Sequence, residues 1–286
     1  MTTSDNRTGL VLEGGGMRGV FTAGVLDYFL DQGINFDTCI GVSAGSCLAC
    51  SYLSKQKKRG WRTITDYLDD PRYCGVKSFL RTGDYFGSEM LYKTIPEELD
   101  PYDYKVFDEN PAEFYAVVTN CRTGEAEYKK IRDLHRDICY VRASSSLPLM
   151  SRTVWIKKEP YLDGGISDSI PIRKSLELGN QKNVVILTRD KDYRKSPNKI
   201  MPMLKLRYQR QFPKLVERME ERHLDYNAAL DYLSRLEEEG KVFIIRPPYP
   251  VTIKRVEKDM DKLEELYRQG YETAKEVSGA LESYLG

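Results

Sequence analysis

Between residues 9 and 54 the chain twice runs from a short apolar stretch, through a glycine-bearing turn, into helical spacing. Residues 9–13 (GLVLE) read as a buried strand that ends in Gly14-Gly15-Gly16. Apolar side chains then recur at helical intervals over 20–30 and stop near Gly33. Residues 38–42 repeat the strand, Ser43-Ala44-Gly45 repeats the turn, and 44–54 repeats the helix. Strand–turn–helix taken twice in succession is the pattern of a parallel sheet with helices packed on it.

Further strands are expected at 113–120, 125–131, 153–156, 159–162, 183–188 and 242–246, and helices at 133–145, 172–178 and 259–284. Residues 190–240 carry helical periodicity and read as an insertion or cap. Residues 67–111, rich in Asp, Tyr, Gly and Pro, mix loops with short helices. No Pro/Gly/Ser-rich linker divides the 286 residues. One domain is expected: a catalytic core over 7–188, with 189–286 a helical insertion plus a C-terminal strand and helix packed on it.

Composition excludes several classes. Lys and Arg number 44 against 43 Asp and Glu, so no overall field favours nucleic acid. No apolar run approaches the ~20 residues of a membrane-spanning helix. Residues 1–7 lack the apolar core and small-residue cleavage pattern of a secretory signal. The six cysteines match no disulfide or zinc spacing, and the C-x-x-C at Cys47 and Cys50 reads as small packing residues on a buried helix. Reduced cysteines suit the cytoplasm. No metal and no cofactor are expected. Only two histidines exist, His135 and His223, both among charged residues and read as solvated. That scarcity matters, because most serine hydrolases use histidine as the general base.

Three motifs bear on chemistry. Gly41-Val42-Ser43-Ala44-Gly45 matches G-x-S-x-G, in which a sharp strand-to-helix turn exposes the serine and the helix N-terminus aims positive partial charge at its oxygen. Gly14 to Gly19 offers backbone N–H groups free of side chains, suited to a developing oxyanion. The same residues satisfy G-x-G-x-x-G, but a dinucleotide site wants an acid ~20 residues on at the end of the second strand. Asp37 has nearly that spacing yet precedes the strand. Asp163-Gly164-Gly165 sends a carboxylate off a strand into two glycines, though Asp-Gly is also a common turn pair.

Taken together, in this order, the three motifs resemble those of the patatin-like phospholipases, and Arg18 matches the basic residue of that family's loop. The resemblance covers about residues 7–188. The later strand and helix are similar to the tail of a bacterial subgroup. It implies a three-layer α/β/α fold with a mainly parallel central sheet. It also implies a Ser43–Asp163 dyad without histidine, and an oxyanion hole from Gly14, Gly15, Gly16 and Ala44. Gly19, Gly41, Gly45, Gly164 and Gly165 would shape the turns. The implied activity is hydrolysis of a lipid acyl ester of the phospholipase or lysophospholipase type.

Three rivals stay open: acyl transfer from the same acyl-serine to another acceptor, a non-enzymatic nucleotide-binding module, and an inactive regulatory relative, against which the intact Ser43 and Asp163 argue. Asp168 reads as a local hydrogen-bonding residue. The serines at 144–146 read as a helix-ending loop or as acyl-pocket lining. Residues 189–218 hold ten Lys/Arg against three Asp/Glu, interleaved with apolar residues. They suit either a solvated helix packed by its apolar side or peripheral contact with an anionic membrane.

Overall fold

The computed structural model describes residues 6–286; most of the 1–7 segment read above for a signal lies outside them. In chain order the elements are β1 (Thr8–Leu12), α1 (Gly19–Asp31), β2 (Thr38–Val42), α2 (Ala44–Leu53), α3 (Arg59–Thr65), α4 (Val76–Thr82) and α5 (Tyr104–Glu109). Next come β3 (Glu113–Asn120), β4 (Ala126–Ile131), α6 (Leu134–Ser144), β5 (Val154–Ile156), β6 (Glu159–Asp163), α7 (Ile172–Glu177) and β7 (Lys182–Ile186). The chain closes with α8 (Met201–Tyr208), α9 (Pro213–Glu238), β8 (Val242–Ile245), α10 (Met260–Glu276) and α11 (Ser278–Leu285).

The sheet runs β5-β6-β3-β2-β1-β7-β8, with β4 also paired to β3. From β3 to β8 every pairing is parallel; β4, β5 and β6 join antiparallel. The central strands are buried on both faces, which explains their unbroken apolar runs. Alternate residues go to opposite layers. Leu10, Leu12, Val184 and Ile186 enter the core beneath α1, α2 and α10. Val11, Val185 and Leu187 meet Tyr226, Leu230 and Leu233 of α9 on the other face. The architecture is thus the expected α/β/α sandwich with a mainly parallel sheet. The strands run left from β1 to β2 and β3 and right from β1 to β7 and β8. Loops leaving the C-terminal ends of β1, β2 and β7 therefore meet at the switch in direction, where open α/β sheets bind ligands.

Two expectations change in detail. The helix read over 259–284 is two helices with a break at Val277. The 67–111 stretch contains α4, α5 and a widely wound turn over Met90–Leu99 with Pro96 inside it. A proline there removes an N–H and crowds the preceding turn, so no regular period survives to be read.

α10 lies against α1 through a backbone approach. A Cβ on Gly270 would stand 2.1 Å from the Phe21 carbonyl oxygen, and one on Gly24 would stand 2.1 Å from that of Tyr267. Tyr267 then donates to Asp27 at 2.5 Å. Replacing Gly270 by Ala should cost at least the ~1–3 kcal/mol typical of overpacking. Thermal denaturation checks this; an unchanged midpoint would mean that α10 does not sit on α1 as described.

Candidate active site

Ser43 occupies the turn between β2 and α2 at φ 55°, ψ −124°, a conformation that costs a non-glycine residue on the order of 1–3 kcal/mol. Its surroundings over-determine the turn. The Ser43 N–H donates to Ser144 Oγ at 2.9 Å, Ser144 Oγ bonds Ser46 Oγ at 2.9 Å, and Ser46 Oγ donates to the Gly41 carbonyl at 2.7 Å. No side chain can be added nearby. A Cβ at Gly45 would lie 2.5 Å from the Leu12 carbonyl, and one at Gly14 would lie 2.8 Å from Ser43 Cβ. The glycine loop is thereby laid directly along the serine. In that loop the amides of Met17 and Arg18 are taken by the carbonyls of Arg255 and Gly15. Among the described residues, no backbone carbonyl takes those of Gly15 or Gly16.

Asp163 is brought to the same place by strand register. Val42 pairs with Val117, and the next residue on β3, Val118, pairs with Asp163. Ser43 and Asp163 therefore stand level, with β3 between them. The Asp163 N–H donates to the Ser146 carbonyl at 2.9 Å, and its Oδ1 accepts from the Gly165 N–H at 2.8 Å. Oδ2 is buried without a partner in hydrogen-bond geometry, although the Ser43 hydroxyl is near enough to favour the ionised carboxylate. Burial dominates and holds the carboxyl above its usual range, against the pull of Arg222, Ser43 and Gly165. Gly164 lets the turn lie on β3: a Cβ there would sit 2.1 Å from the Val117 carbonyl.

Two cavities meet at Ser43. One, of about 40 Å³, is bordered by Gly14, Gly15, Gly16, Ser43 and Asp163. The other, of about 110 Å³, is bordered by Ser43 and Ala44 and extends among Leu48, Ile64, Tyr73, Phe86, Leu91 and Tyr92. Gly16 and Leu147 border both. A larger hollow of about 400 Å³ beside Asp168 and α9 includes neither Ser43 nor the glycine loop.

The structure brings together Ser43, Asp163, Gly14, Gly15 and Gly16, with Arg18 buried at the same cavity and Ala44 on the apolar side. Other candidates lie elsewhere or have local tasks. Asp168 accepts from Tyr128 at 2.7 Å and caps the Ile170 N–H. His135 stacks on Tyr104 at 3.5 Å between ring centroids, and His223 is half-buried with Nδ1 against the Glu220 carbonyl. Cys47 borders the apolar cavity, as does Ser145, while Cys50 Sγ rests on the Ser46 carbonyl. All six cysteines are free thiols, and among the described residues no cluster of metal-ligating side chains occurs.

Sequence reasoning missed the second ring of the site. Glu13, buried at the end of β1, accepts from the Thr188 N–H and hydroxyl and, at 2.6 Å, from Tyr226 on α9. Arg222, also on α9, donates to the Gly165 carbonyl. Lys195 and Arg255 border the small cavity as well. Nothing in the local sequence marks these residues, because their meeting depends on where α9 docks.

Ser144→Ala should leave the buried Ser43 N–H unsatisfied and cost about 1–3 kcal/mol. The checks are thermal denaturation and the rate of labelling of Ser43; unchanged values for both would refute its role in bracing the turn.

Comparison with known proteins identifies the family. The family model "Patatin-like phospholipase" matches residues 10–175, and a "Domain of unknown function (DUF6363)" matches residues 212–286. An uncharacterized Escherichia coli K12 protein, YjjU, is 28% identical over 271 residues, covering 92% of this chain and 75% of that one. Lysophospholipase NTE1 of Kluyveromyces lactis is 26% identical over 305 residues, covering 94% of this chain. Lysophospholipase nte1 of Aspergillus niger is 30% identical over 183 residues, covering 60% of this chain. The aligned part is 19% and 11% of those two longer proteins. With motifs, sheet and a family match over residues 10–175, more than half of its length, the chain belongs to the patatin-like phospholipase family.

Proposed function

We propose that this chain hydrolyses acyl esters of lipids through an acyl-serine formed on Ser43, with Asp163 as the base. The observation that carries the reading is the meeting at Ser43 of two unlike cavities. One holds a buried carboxylate and a glycine loop; the other is apolar and large enough to admit the start of an acyl chain. Asp163 takes the Ser43 hydroxyl proton as Oγ attacks the ester carbonyl. The amides of the glycine loop and Ala44 receive the oxyanion. Collapse of the tetrahedral species breaks the ester C–O bond, and the alcohol leaves with the proton from Asp163. Water, deprotonated by the same carboxylate, then releases the fatty acid and restores Ser43.

The nucleotide-binding alternative lacks its acid. Asp37 stands at the start of β2, where Oδ2 accepts from the Thr8 N–H at 2.7 Å, at the opposite end of the sheet from the glycine loop. Acyl transfer to another acceptor uses the same acyl-serine and is separated from hydrolysis by assaying products with competing alcohols.

Substrate would reach the site from a lipid surface. Among the described residues no helix is long and apolar enough to cross a membrane. α8 buries Leu204 and Tyr208 but leaves Met203 and Leu206 exposed beside Lys205 and Arg207, and α4 leaves Val76 and Leu80 exposed. Both helices are tied to the loop that carries Leu147. Tyr208 accepts from the Leu149 N–H at 3.2 Å, and Asp84 accepts from the Arg152 N–H at 2.7 Å. The arrangement suits a peripheral, basic-and-apolar surface joined to the loop whose Leu147 borders both cavities.

Labelling, kinetics and sedimentation test these statements. A fluorophosphonate probe should label wild type and not Ser43→Ala, and Asp163→Asn should lose about 10²–10⁴-fold in kcat/KM. Because burial raises the Asp163 carboxyl and the base must be ionised, activity should rise with pH through a limb above the ordinary Asp value of ~3.9. Persistent labelling of Ser43→Ala, or full activity of Asp163→Asn, refutes the dyad. Vesicle sedimentation should show binding to anionic lipid that weakens with salt and is reduced by Leu206→Asp; indifference to vesicle charge removes the membrane contact.

A further inference from the structure

The small cavity holds more positive charge than the reaction requires. Arg18, Arg189, Lys195, Arg222 and Arg255 border it, against the carboxylates of Glu13 and Asp163. Glu13 is already engaged by Thr188 and Tyr226. Arg18 is 8% exposed, and its Nε has no hydrogen-bond partner; Arg189 Nε is likewise buried and unpaired. Lys195 lies over the Tyr226 ring at 4.2 Å, and its loop is pinned to α9 by Asn227, which exchanges two hydrogen bonds with the Lys195 backbone. The cations repel one another. Burial, then Arg222, Arg255 and Arg18, bring the Lys195 ammonium down to about 7, and burial with Arg189 brings Arg18 down to about 10. Arg18 is buried, Arg189, Lys195 and Arg222 are half-buried and Arg255 is exposed; gathering like charges at such a site is costly unless something of opposite sign joins them.

We propose that this pocket binds the phosphate monoester head of the lipid ester, placing an anionic headgroup on one side of Ser43 and the acyl chain on the other. The proposal rests on the hydrolase reading and adds its substrate class. Size suits a phosphate group, because about 40 Å³ admits roughly three waters or one tetrahedral anion. Charge argues against a cationic headgroup such as choline. Arginine suits phosphate because its planar fork meets two oxygens together. Four of the five cations, Arg189, Lys195, Arg222 and Arg255, lie beyond the patatin-like match at 10–175, and Arg222 and Arg255 lie in the 212–286 region of unknown function. That region would thus supply the headgroup half of the site.

The test has a binding arm and a kinetic arm. In Ser43→Ala, which cannot turn over, calorimetry with inorganic phosphate and with glycerol 3-phosphate should show binding. Adding Lys195→Gln or Arg255→Gln should weaken it about 10–100-fold, as loss of a charged hydrogen bond does. Adding Lys195→Arg, which keeps the charge, should largely restore it. In the otherwise native enzyme, kcat/KM for a 1-acyl-glycerol 3-phosphate should exceed that for the matching acyl-glycerol and acyl-glycerophosphocholine by at least about tenfold. Lys195→Gln should pull that ratio toward one. If Ser43→Ala binds neither anion, the pocket is not an anion site and the proposal fails. If it binds inorganic phosphate while hydrolysis ignores the headgroup, the pocket takes free phosphate and the headgroup assignment fails. If no ester is cleaved and Ser43 resists the fluorophosphonate, the hydrolase reading fails separately, and the calorimetry still decides the anion site.

Discussion

A serine held at positive φ between a buried strand and a buried helix is the constraint around which this molecule is built. The strain is modest, on the order of 1–3 kcal/mol, but it must be held by neighbours that cannot move. Those neighbours are backbone: the Leu12 carbonyl against Gly45 and the Gly14 Cα against Ser43. Because contact is through main chain, the ends of β1 and β2 lie closer than side chains would permit. The same closeness puts Gly15 and Gly16 on the cavity that Ser43 borders. Strain and close packing are therefore one arrangement.

The carboxylate opposite that serine is stabilised less well than a structural aspartate would be. One oxygen is satisfied by Gly165 and the other is buried without a partner in hydrogen-bond geometry. The effect is a carboxyl that holds its proton more readily than usual, as the base proposed above would. Structural stability is recovered elsewhere. The buried Glu13 carboxylate is fully engaged, joining β1, the end of β7 and α9 through Thr188 and Tyr226. The contrast between a satisfied carboxylate and an unsatisfied one, bordering the same cavity, separates scaffold from chemistry.

The C-terminal third is integral to the site. The Arg255 carbonyl accepts from Met17 in the glycine loop, and it occupies the space a side chain at Gly16 would need. Arg222 rests on the Asp-Gly-Gly turn, and α10 lies on α1 with glycine facing backbone on both sides. Segments distant in sequence thus buttress the glycine loop and the Asp-Gly-Gly turn from outside. The core over 10–175 does not by itself enclose the cavity around Ser43.

The sequence by itself determined the parallel α/β layering, the sharp turn at Ser43 and the pairing of that turn with a glycine loop. Each depends on local periodicity or on glycine placed where a side chain has no room, and both are written residue by residue. Asp163 was legible only as the third member of a motif set, since Asp-Gly alone is an ordinary turn. Tertiary structure decided the rest. Register across β3 brought Asp163 level with Ser43, and the docking of α9 delivered Arg222 and Tyr226. Residues 67–111, unreadable because Pro96 and scattered polar residues erase any period, supplied the walls of the apolar cavity. Charge and burial at a pocket depend on which distant side chains share it, and sequence spacing carries no record of that meeting.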